Sequence, residues 1–176
     1  MVTAVHAGAL AAALFATGSA IAHDYTVESN GVFSPPNATV KSTALTYDQA
    51  LVPAGSQIRV YQHTATNKTT TVELWVTGVK PNHLFGVHVH QKACGTKPAD
   101  AGKHYQNTPG MDAAHVNNKN EVWLDFKSDA AGKGHASATH TWAFRKGQAS
   151  SLVIHSEPGT KGARAACFSV PFGGAS

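Results

Sequence analysis

The segment Gly86-Val87-His88-Val89-His90-Gln91-Lys92-Ala93-Cys94-Gly95 sets two histidines one residue apart in an apolar run, with a cysteine just beyond. In an extended strand residues i and i+2 share a face, so the His88 and His90 imidazoles project together while Val87 and Val89 point the other way. Two adjacent imidazoles can bind a transition ion, although paired histidines on a solvent-facing strand are also common. Two more histidines give them company. His104 stands in Gly102-Lys103-His104-Tyr105, within an irregular stretch, and His155 ends the apolar run Leu152-Val153-Ile154, where a solvent-facing histidine is less expected. An all-imidazole set suits copper or zinc, and copper accepts the flattened nitrogen geometry that strands and loops supply. The two cysteines of the chain, Cys94 and Cys167, either join in an oxidising compartment or stay as buried free thiols.

The elements that must position these residues read as strands. Ser56–Tyr61, Thr70–Val76, Leu84–His90, Glu121–Phe126, Gly134–Phe144, Ser151–His155 and Ala166–Val170 carry strand patterns, and Asp129-Ala130-Ala131-Gly132 is a hairpin turn. No segment holds a helical period over three turns. The expected fold is all-β, an antiparallel Greek-key sandwich or flattened barrel with long irregular loops at 91–120 and 156–165. Residues 23–54 are turn-rich, with Ser29-Asn30-Gly31 and Ser34-Pro35-Pro36-Asn37, and read as a poorly ordered N-terminal extension before a single domain over 55–176.

Bulk properties narrow the function classes. With 176 residues the chain has room for one domain with a real core. The net charge of +4 comes without the clustered Lys/Arg and interleaved aromatics of a nucleic-acid binder, and is read instead as mild attraction for small anions. Residues 7–16 form a short apolar block and Ala20-Ile21-Ala22 a small-x-small site, the pattern of a secretory signal peptide over 1–22, though no Lys or Arg precedes the block. The block is too short to span a bilayer, and no cysteine at the cleavage site offers a lipid anchor. The expected home is therefore periplasmic, cell-surface or secreted.

His88-Val89-His90, Cys94, Gly102-Lys103-His104-Tyr105-Gln106-Asn107, Leu152-Val153-Ile154-His155 and Arg164-Ala165-Ala166-Cys167 stand in the order and approximate spacing of the copper/zinc superoxide dismutases. The resemblance covers about residues 55–172. It implies that His88, His90 and His155 are copper ligands and that His104 is the histidine bridging copper to zinc, serving also as proton relay. It implies a disulfide between Cys94 and Cys167, and makes Arg164 the arginine that guides and hydrogen-bonds superoxide. In such enzymes copper cycles between Cu(II) and Cu(I), converting superoxide to oxygen and hydrogen peroxide.

Two departures matter. The family's zinc subsite ends in a His-x-x-Asp pattern, whereas His115-Val116-Asn117-Asn118 carries an amide at the last position, so no tightly held zinc is expected; Asp112 with His104 and His115 is the remaining weak possibility. The loop between His155 and Arg164 is much shorter than the charged loop of the family, with Lys161 left to keep some of its attraction. Both losses resemble the copper-only branch, in which an acidic residue orients the bridging histidine; Glu121 and Asp112 are the candidates. The implied function is an exported copper-dependent superoxide dismutase, monomer or homodimer, acting on superoxide and not on nucleic acid. Its alternative is a copper carrier or buffer of the same fold. His23, as a new N-terminus, offers a separate copper-chelating reading that needs a second brace histidine and explains none of the ordered motifs, and His63, His83, His135 and His140 read as solvated.

Overall fold

The computed structural model describes residues 23–174, so the expected signal peptide lies outside the described residues. Among the described residues nine strands form two antiparallel sheets. In chain order they are β1 (Tyr25–Val32), β2 (Ala44–Thr46), β3 (Gln57–Thr64), β4 (Thr70–Thr77), β5 (Leu84–His90), β6 (Phe126–Lys127), β7 (Gly134–His140), β8 (Ser151–His155) and β9 (Arg164–Ser169). One sheet has the order β1-β3-β4-β7, the other β2-β9-β8-β5-β6, and the two face each other as a sandwich. The only helical turn among the described residues is a four-residue 3₁₀ segment, Pro98–Ala101.

Alternation builds the core. Ile58 and Val60 of β3 and Val72, Leu74 and Val76 of β4 face inward from one sheet; Phe85, Val87 and Val89 of β5, Leu152 and Ile154 of β8 and Phe168 of β9 meet them from the other. Residues 23–54 depart from the turn-rich, poorly ordered reading. β1 pairs with β3 over all eight of its residues, and β2 pairs with β9. The Ser-Asn-Gly turn signal is overridden because an alternating edge strand tolerates polar residues on its solvent face, and in β1 partly buried residues alternate with exposed ones. The expected strand over 121–126 also shrinks to β6 and isolated bridges, and that over 134–144 ends at His140.

β5 is buried on both faces, unlike a simple half-exposed strand. Its inner face joins the core; its outer face carries Gly86, His88 and His90. Beyond β6, the free edge of β5 is closed by two loop segments, through the bridges His90↔His104 and His88↔Trp123. Tyr105 N and Leu124 N donate to Val89 O at 2.8 Å and Val87 O at 2.7 Å. Both segments alternate. Tyr105, Val122, Leu124 and Phe126 enter the core. His104, Gln106, Glu121, Trp123 and Asp125 are thereby left on the opposite face, beside the β5 histidines.

Candidate metal centre

Four histidines meet on that outer face. His88 and His90 come from β5, His104 from the segment bridged to it, and His155 from the end of β8, where it pairs with Gly86. One nitrogen from each lies within 4.8 Å of the other three. His88, His90 and His155 are buried, and the side chain of His104 is 16% exposed. A register shift after Ile154 places His155 opposite Arg164 of β9. Gly86 is required here: a Cβ at this position would stand 2.3 Å from Glu157 O, so only glycine lets the loop after His155 lie against β5.

The outward nitrogens are committed. His90 Nδ1 donates to Gly102 O at 3.1 Å and His155 Nδ1 to Gly162 O at 2.9 Å. His104 Nδ1 donates to Glu121 Oε2 at 2.7 Å. These partners fix the tautomers, so each of the three rings presents Nε2 to the cluster. His88 differs: its Nε2 is 3.3 Å from Asp125 Oδ1 without hydrogen-bond alignment, and both of its buried ring nitrogens lack a hydrogen-bond partner. A buried polar atom without a partner is costly unless something else satisfies it. His90 Nε2 and His155 Nε2 stand 3.4 Å apart. Lone pairs converging in this way suit a first-row metal ion, whose nitrogen ligands sit at about 2 Å.

Electrostatics favours the unprotonated rings of His88, His90 and His155. Burial, helped by His104 and Arg164, pushes His90 down to about 2, and burial takes His155 to about 4 despite its bond to Gly162. Burial also lowers His88. Glu121 is 1% exposed. Burial pulls its proton affinity up, yet hydrogen bonds from His104, Trp123 and Gln106 outweigh that and keep it below the ordinary carboxylate range.

Arg164 Nη2 donates to Gly102 O at 2.6 Å, the carbonyl that also accepts from His90, and its Nη1 donates to Pro98 O at 2.8 Å. The disulfide Cys94–Cys167 ties this loop to β9. Above the cluster opens a cleft of about 290 Å³ whose walls include Lys103, His104, Met111, Thr160 and Arg164. Searches against protein families and against curated proteins find no match for the chain.

The sequence-predicted residues His88, His90, His104 and His155 thus come together, with Arg164 at the same cleft. Of the two acidic candidates, Glu121 holds His104, whereas Asp112 Oδ1 bonds His115 Nδ1 at 2.6 Å on an exposed turn. Neither Asp112 nor His115 belongs to the cluster. His63 pairs with Asp24 at 3.0 Å and His83 with Ser156 O at 2.9 Å. His140 corrects the solvated reading, being 7% exposed and stacked on Trp142. The sequence reading gives no role to Trp123, Gln106 or Asp125; the alternation Glu121-Val122-Trp123-Leu124-Asp125-Phe126 is a signal that places Trp123 and Asp125 on one face with Glu121, and Gln106 lies outside it.

Proposed function

We propose that the protein is an exported copper-dependent superoxide dismutase that works without tightly held zinc. The observation that carries this reading is the buried four-histidine cluster whose His104 is held from behind by Glu121. His88, His90, His104 and His155 would hold the copper ion. Copper bound there would supply one-electron oxidation and reduction of superoxide. Lys103 and Arg164 give the cleft positive charge for a small anion, and the Arg164 guanidinium, anchored by Pro98 O and Gly102 O, offers hydrogen bonds to it. His104 Nε2 is the nitrogen able to take up and hand on a proton, since Nδ1 is engaged with Glu121. The carboxylate, rather than a second metal, orients this ring. The amide of Asn118 and the pairing of Asp112 with His115 favour the zinc-free form. A disulfide agrees with an oxidising compartment, and no helix among the described residues is long and apolar enough to cross a membrane.

The test is metal content and superoxide decay on one sample, loaded with copper alone and then with copper plus zinc. The expected result is about one copper per chain, rapid decay with copper alone, and loss of both in His88→Ala and His155→Ala. Stoichiometric copper without superoxide decay would make the protein a copper carrier or buffer. Retained zinc with activity that depends on it would overturn the zinc-free part of the proposal.

A further inference from the structure

The carboxylate of Glu121 is itself gripped from three sides. Oε2 accepts from His104 Nδ1 at 2.7 Å and from Trp123 Nε1 at 2.8 Å; Oε1 accepts from Gln106 Nε2 at 2.8 Å. The far end of Gln106 is also fixed, because its Oε1 accepts from Gly110 N at 3.0 Å. Arg145 clamps the backbone on which Gln106 sits, with Nη2 donating to Gln106 O at 2.8 Å and the guanidinium over the Tyr105 ring at 4.8 Å. Trp123 has a second contact. Its ring lies 5.2 Å from that of His88, which in turn lies 4.3 Å from that of His104. One indole therefore touches both a cluster histidine and the carboxylate behind its neighbour.

A carboxylate with a single partner is free to rotate about its last torsion, which is broad for Glu. A buried one with unfilled lone pairs is also poorly satisfied. The two neutral donors remove both freedoms. We infer that Trp123 and Gln106 are positioning residues: they lock the Glu121 carboxylate onto His104 Nδ1, and so decide that His104 Nε2 is the nitrogen presented to the metal. This deepens the proposed function and rests on that reading for its catalytic meaning, but the hydrogen-bond relay exists without metal.

The experiment is therefore done first on purified protein freed of metal, at pH 8, by long-range ¹H–¹⁵N NMR of the His104 ring. Wild type is expected to show protonated Nδ1, bare Nε2 and slow exchange of the Nδ1 proton. Trp123→Phe, which keeps a ring against His88 and removes only the N–H, and Gln106→Leu are each expected to speed that exchange at least tenfold and to populate the other tautomer. Trp75→Phe, on the outer face of the opposite sheet, should leave the signal unchanged. Copper affinity, read by competition with a chelator, should fall about tenfold or more in the first two variants. The inference is overturned if both variants keep the wild-type His104 signal, or if Trp123→Leu disturbs it while Trp123→Phe does not, since packing and not the N–H would then be responsible. Failure of wild type to bind copper would overturn the proposed function and leave the ring measurement to decide this relay.

Discussion

An imidazole shut away from water holds a proton weakly, and that sets how the candidate ligands respond to acid. In the unfolded chain each histidine titrates near 6.5. His90 at about 2, His155 at about 4 and the lowered His88 and His140 all titrate below that in the folded state, because burial penalises the charged ring. The unfolded chain then binds more protons across this window, so these groups contribute stability that is fully present above about pH 6.5 and is lost as pH falls towards 4. The melting temperature of metal-free protein is expected to drop between pH 7.5 and 4.5, more steeply than in His140→Phe. A flat profile contradicts the burial argument. Copper held as proposed, in contrast, should survive dialysis at pH 5.5, because folded His90 and His155, at about 2 and about 4, have little tendency to protonate there. At this scale His88 and His90 were legible from strand period and His155 from its apolar context, both local signals, while His104, in an irregular stretch, took its place in the set from the family resemblance. Trp123 and Gln106 were not: their importance comes from meeting Glu121, and two loop segments had to be brought to one strand edge before that meeting existed.

Among the elements, β5 and the segments along its free edge decide the geometry. The strand boundaries of β4, β5 and β8 follow closely from alternation and apolar runs. β1 and β2 escaped detection because their pairing with β3 and β9 is non-local and their own residues are unremarkable. Gly86 shows how an element can control the centre without a side chain. Gly86→Ala would drive a Cβ into Glu157 O and push back the loop 156–163, which supplies Gly162 O to His155 and Gly159 N to Asp125. A loss of about 1–3 kcal/mol in stability is expected from the overpacking, measured by denaturant unfolding, together with weaker copper retention. A variant as stable as wild type with unchanged copper binding would mean that the loop yields without moving His155.

For the whole molecule, the disulfide is the longest-range covalent tie. It joins positions 73 residues apart, linking the loop that provides Pro98 O and Gly102 O to β9, which provides Arg164. The chain-entropy relation assigns such a closure about 4 kcal/mol. The double variant Cys94→Ser, Cys167→Ser should therefore melt roughly 8–16 °C lower in metal-free form. The same scan run on reduced wild type should reproduce the shift. No shift in either sample would mean that the small cluster of Tyr47, Ala101 and Val153 around the bridge holds the loop unaided.

Closing β5 with the segments around His104 and Trp123 has a consequence for how the protein fails. Those bridges cover backbone groups of a strand that is apolar on its inner face. A chain whose loops come loose offers that bare edge to other chains, and strands with unpaired edges recruit one another. Damage to the candidate metal site and self-association would then be one event, with the same loops serving the histidine cluster and solubility.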